Sequence, residues 1–151
     1  HARYSCLGKE YIYKIWNEPV RNPFLRNRAL HYWYPLDLSR MNEAAAHYIG
    51  KHDFTSFCTS DARDRGDMCR TVTRAGIQRD CGLVTFTVAA DGFLYNMVRI
   101  MVGTLLYVAQ GKLQPEQIPE ILAARDRTAA GPTAPPCGLY LNRVFYGEGP
   151  V

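Results

Sequence analysis

CRTVTRAGIQRDCGLVTFTVAADGFLYNMVRIMVGTLLYVAQG, residues 69–111, is the stretch that decides the fold. CRTVTRAGIQRD and LVTFTVAA alternate and are rich in β-branched residues, and a turn near Asp80 to Gly82 joins them as paired strands. After Gly92 the period changes. Met97, Val98, Met101, Val102, Leu105 and Leu106 recur at the spacing of a helix with a broad apolar face. Arg99 lies beside that face and is the one charged residue between Gly92 and Gly111. A buried guanidinium is costly unless it is paired and hydrogen-bonded. Its neighbours one turn away, Tyr95, Asn96, Val102 and Gly103, include no carboxylate. Its partner is therefore expected from a distant part of the fold, or from outside the chain.

The same uncharged run raises the question of a membrane span. Arg99 near its middle, with Asn96, Gln110 and three glycines, reads instead as a buried helix of a soluble protein.

Working outward, YSCLGKEYIYKIWN reads as one or two strands, with Tyr11, Tyr13 and Ile15 on one face and Ile12, Lys14 and Trp16 on the other. EPVRNPFLRNRA, with two prolines and three arginines, is a loop, and LHYWYP a short strand stopped by Pro35. Asp37 or Ser39 caps a helix that runs to about Ile49, with Leu38, Met41, Ala45 and Tyr48 as its apolar stripe. KHDFTSFCTS reads as a turn followed by a short strand, and TSDARDRGD as a flexible loop. A second helix spans roughly Pro115 to Arg125, and LYLNRVFY is a last strand after a Pro/Gly/Ala loop. This order implies an α+β fold: an antiparallel, or in part mixed, sheet with helices on one face.

The composition sets broad limits. Hydrophobic residues make up 47% of 151, which supplies a core for one domain and excludes a disordered chain. The net charge of +4 is carried by 14 arginines against 4 lysines, and arginine suits phosphate contacts and stacking on bases. Nucleic acid is the first partner class to consider. The five cysteines form no C-x-x-C pair and read as free thiols, and the histidines lack metal-ligand spacing.

Each candidate has a bland reading beside a functional one. Arg99 either snorkels at the core edge or holds a carboxylate or phosphate. Tyr11 either packs or stacks on an unstacked base. Arg21, Arg26 and Arg28 either form a solvated loop or contact RNA phosphates. Arg63, Arg65, Arg70, Arg74 and Arg79 pose the same choice, weakened by interleaved aspartates. Asp53 and Asp91 read as turn formers.

Read in order, HARYS…KEYIYKIWN, WYPLD…MNEAA…GKHDFTSF, FLYNMVRIMVGTLLYVAQGKL and APPCGLYLNRVFY resemble the TruA-type tRNA pseudouridine synthases. The likeness runs from His1 to Tyr146 and covers the larger, C-terminal portion of that family. Residues 1–151 are then expected to be a single C-terminal domain, a pseudouridine-synthase-like half domain lacking the N-terminal half. The resemblance implies isomerisation of uridine to pseudouridine in the tRNA anticodon stem-loop, without cofactor or metal. It also implies a homodimer in the intact enzyme and a cytoplasmic location. Matched residue by residue, Tyr11 is the family tyrosine that stacks on the flipped base and takes a proton. Arg99 is the arginine that pairs with the catalytic aspartate, and Leu139 packs near the base. That aspartate belongs to a G-R-T-D-x-G-V-H motif, and no G-R-T-D occurs in this chain. The chain alone is therefore expected to be inactive. An open sheet edge is also expected, prone to self-association. A non-catalytic RNA-binding module and a purely structural domain are the alternative readings.

Overall fold

The computed structural model describes residues 6–59 and 66–147, so TSDARDRGD, with Arg63 and Arg65, falls largely outside the described residues. The strands are β1 (Cys6–Trp16), β2 (Leu30–His31), β3 (Gly50–Asp53), β4 (Cys69–Asp80), β5 (Leu83–Ala90) and β6 (Leu139–Tyr146). The helices are α1 (Leu38–Ala46), α2 (Met97–Ala109) and α3 (Gln117–Ala124). The sheet runs β2-β1-β5-β4-β3, with β6 pairing β1 on the same side as β2. Every pairing is antiparallel except β1 with β2, so the sheet is mixed and the fold is α+β.

Register explains the single core. Tyr13 lies opposite Phe86 and Ile15 opposite Val84, while Phe86 in turn faces Ile77. These five side chains are buried on one face, where Met41, Ala45 and Tyr48 of the α1 region and Ile100, Met101 and Leu105 of α2 cover them. At about 25 cal/mol per Å² of apolar surface, such side chains each contribute roughly 1.5–3 kcal/mol. The free edge of β4 is closed by Asn42. Its Oδ1 accepts from the Ile77 amide at 2.9 Å and its Nδ2 donates to the Ile77 carbonyl at 3.0 Å. A side-chain amide thus replaces a missing strand.

Three local readings are corrected. LHYWYP pairs as a strand only at Leu30 and His31. The buried Asn17 amide takes the carbonyls of Tyr32 and Tyr34, both at 2.7 Å, and turns the segment away. In KHDFTSFCTS the strand precedes the turn: 50–53 pairs with 69–72, and Asp53 Oδ1 then accepts from the Thr55 amide to open a 3-10 turn, Thr55–Phe57. The helix capped by Asp37 stops at Ala46 rather than near Ile49, because Tyr48 and Ile49 donate three residues back and tighten the last turn.

β6 is an edge strand, and most of its residues are exposed, Leu141 and Tyr146 among them. Among the described residues no helix is long and apolar enough to cross a membrane.

Candidate active site

Tyr11, Arg99 and Leu139 line one pocket of about 210 Å³, closed by Phe93, Tyr95 and Asn96. Residues from β1, the start of α2 and the start of β6 therefore converge there. Tyr11 points to the core face of β1 and meets Phe93 edge to face, with centroids 5.0 Å apart. Its hydroxyl is uncommitted among the described residues. Beside it β6 carries an extra residue: Glu10 faces Arg143 but Tyr11 faces Leu141, so Asn142 bulges out. A bulge re-aims the side chains next to it. Leu139 is set by the turn Pro136–Gly138. A Cβ on Gly138 would lie 2.5 Å from the Lys14 carbonyl oxygen, so only glycine lets that turn press against β1.

Arg99 is half-buried, and its fork is partly used. Nε donates to the Ala134 carbonyl at 2.7 Å, and the Ala134 amide returns a bond to the Arg99 carbonyl at 3.0 Å. Nη1 donates to Asn96 Oδ1 at 3.1 Å. Asn96 sits in the left-handed region at φ 60°, and its Nδ2 donates to Thr59 Oγ1 at 3.0 Å. Nη2 has no partner among the described residues. Among the described residues no carboxylate pairs with Arg99; their ion pairs are Arg74 with Glu10 and Arg125 with Asp53. Glu10 is next to Tyr11 in sequence but points to the opposite sheet face, where Asn142 Nδ2 holds it at 2.7 Å. Asp53 and Asp91 serve turns and strand ends, accepting from Thr55 and Thr71.

The loop behind Arg99 is pinned as well. Tyr13 Oη donates to the Pro135 carbonyl at 2.6 Å, and the Gly131 amide donates to Thr104 Oγ1 at 2.9 Å. Burial pushes the Tyr13 phenol well above its ordinary 10.0. Cys137 adds to that rise and Arg99 opposes it. Burial also raises Tyr48, whose hydroxyl donates to the Met101 carbonyl at 3.1 Å. Unfolded tyrosines ionise near 10.0 while these two keep their protons, so the folded state binds more protons above that pH. Their contribution to stability is expected to be complete below pH 10.0 and to fall as pH rises through it. Urea melts at stepped pH should show the fall, and Tyr48→Phe should flatten it.

Arg21 and Arg26 lie elsewhere, on a separate cavity of about 770 Å³, and the Arg28 carbonyl accepts from Tyr140 Oη at 2.6 Å. Sequence reasoning missed Asn96 and Ala134 as the groups that orient Arg99, and Phe93 as the ring against Tyr11. Asn96 was legible in principle, because asparagine tolerates the left-handed turn that opens this helix. Ala134 carried no signal, since its backbone does the work. Among the described residues, no three histidine, cysteine or acidic side chains are grouped as a metal site.

The family model described as tRNA pseudouridine synthase matches residues 44–147. The chain belongs to the tRNA pseudouridine synthase family. It is 49% identical over 148 residues to tRNA pseudouridine synthase A of Geobacillus kaustophilus, which covers 98% of this chain and 57% of that relative. It is 44% identical to the synthase A of Acetivibrio thermocellus and 49% identical to that of Bacillus pumilus, covering 97% of this chain and 59% of each relative. This family member thus spans somewhat over half the length of the curated relatives it matches. In it, the FLYNMVR motif provides both the arginine of the pocket and the asparagine that steers it.

Proposed function

We propose that this chain supplies the base pocket and part of the RNA-binding surface of an enzyme that isomerises uridine to pseudouridine in the tRNA anticodon stem-loop. One observation carries the reading: a half-buried arginine offers an unused Nη2 beside Tyr11 and Leu139, with no carboxylate in reach among the described residues. Such a donor suits an acidic group brought from outside the described residues. An arginine beside a carboxylate holds it ionised, as a nucleophile requires. In this scheme Arg99 pairs with that carboxylate. Tyr11 stacks on the flipped uracil and takes a proton, and Leu139 packs against the base edge. The bond from the sugar to N1 breaks, the uracil turns, and C5 forms the new bond to the sugar; the proton that C5 then loses is matched by one that N1 gains, so the product is an isomer. The nucleophilic aspartate comes from the part of the relatives that this chain does not match, and the chain alone is inactive. The open edge of β6 and a twofold assembly of the intact enzyme belong to the same reading.

Tritium release from a tRNA anticodon stem-loop labelled at uracil C5 tests it. The expected result is release only when the remaining portion of a relative is added. Release by the chain alone would place a nucleophile within it. RNA binding without release under either condition would favour the non-catalytic module.

A further inference from the structure

Most arginines of the described residues are engaged. Arg40 donates to the Val108 and Leu113 carbonyls, Arg79 to Asn17 and Arg127 to Gly131, while Arg74 pairs with Glu10. The guanidinium groups of Arg21, Arg26 and Arg28 have no partner among the described residues. All three belong to one loop, and no aspartate or glutamate occurs from residue 19 to 36. The nearest acid in sequence, Glu18, rests its carboxylate against Gly82 of the β4–β5 turn.

This loop walls the cavity of about 770 Å³, lined by Trp16, Arg21, Leu25, Arg26, His31 and Cys137. Its walls are fixed while its cations are not. Trp16 Nε1 donates to the Val20 carbonyl at 2.8 Å, and the His31 ring is bonded to the Glu18 carbonyl at 2.8 Å. Asn22 Oδ1 accepts from the Phe24 amide at 3.0 Å, and Tyr140 Oη holds the Arg28 carbonyl. Cys137 lines this cavity and Leu139, two residues on, lines the Tyr11–Arg99 pocket, so one short segment borders both.

A rigid concavity with an indole on one wall and uncompensated arginines on another suits a nucleotide within a strand: phosphates for the guanidinium groups, a base for the apolar wall. A second copy of this chain suits it poorly, because a twofold contact centred on this loop would bring two sets of arginines together with no acidic residue of the loop to offset them. We propose that this cavity is a second RNA subsite, in which Arg21 and Arg26 hold phosphates flanking the target uridine and Trp16 and Leu25 take a neighbouring base. The proposal rests on the reading of this chain as a tRNA-modifying one.

Salt-dependent binding of the chain to an unmodified RNA stem-loop, followed by fluorescence anisotropy, tests it. The double variant R21Q/R26Q should bind about tenfold or more weakly and lose about 1.4 from the slope of log K against log salt, or about 0.7 per phosphate contact. R125Q should keep the wild-type slope, because Arg125 is paired with Asp53 and lines a different cavity. An unchanged slope in R21Q/R26Q, with wild-type binding intact, would overturn the subsite and leave the tRNA reading standing. No binding by the wild-type chain at moderate salt would overturn both. Light scattering on the same samples covers self-association. If R21Q/R26Q altered oligomeric state but not RNA affinity, the cavity would be a protein contact and the proposal would fail.

Discussion

Replacing Arg99 by lysine is expected to lower pseudouridine formation by about 10²- to 10³-fold in the complemented enzyme, the scale seen when one preorganised donor is removed from a dry site. Lysine keeps the charge, so the loss would report geometry. The guanidinium does three things at once. Nε holds the Ala134 carbonyl, Nη1 holds Asn96, and Nη2 is left for the pocket. One ammonium on a flexible stem cannot satisfy two fixed acceptors and still present a donor at a third place. The cost to folding should be no more than about 1.5–3 kcal/mol, the range for a hydrogen bond made by a charged group. The test pairs single-turnover rates with thermal melts and RNA affinity. The rate should collapse while affinity stays within about twofold, since Arg99 is not assigned a phosphate. A rate within tenfold of wild type would mean that Arg99 only braces the loop at Ala134.

Elements with strong local periodicity were legible in the sequence, and those made by distant backbone groups were not. The β4–β5 hairpin and α2 follow from alternation giving way to helical spacing between residues 69 and 111. Asp37 caps α1 through a short-range bond to the Arg40 amide, which a sequence displays directly. In contrast, the end of LHYWYP is decided by Asn17, fifteen and seventeen residues away from the carbonyls it takes. The bulge at Asn142 depends on how β6 meets β1, and nothing within LYLNRVFY marks it. The site divides the same way. Tyr11, Arg99 and Leu139 could be named from motifs, and they line one pocket. The absence of a local acid for Arg99 was also legible, because it needs only the residues one turn away. The groups that aim Arg99 were not, since one is a backbone carbonyl thirty-five residues on.

Gly103→Ala sets two large effects against each other. Helix propensity alone favours alanine inside α2 by about 1 kcal/mol. Packing forbids it. A Cβ on Gly103 would lie 1.7 Å from the Pro132 carbonyl oxygen and 2.7 Å from its carbon, both backbone atoms. Neither can rotate away, so α2 and the loop would have to part. Overpacking of this kind costs roughly 1–3 kcal/mol where the structure can yield, and more where it cannot. We expect a net loss of about 3 kcal/mol, which for a domain of this size lowers the melting temperature by roughly 10 °C. The damage should also reach the site. The loop is tied to α2 by the Gly131 amide on Thr104 and by the paired bonds between Ala134 and Arg99. Lifting it at Pro132 strains both, and Arg99 then loses the carbonyl that orients it. Activity of the complemented enzyme should therefore fall more than the folded fraction does, even well below the melting temperature. A higher melting temperature in Gly103→Ala would show that the loop retreats without cost. A lower one with full activity per folded molecule would show that the pocket does not depend on the Ala134 contact.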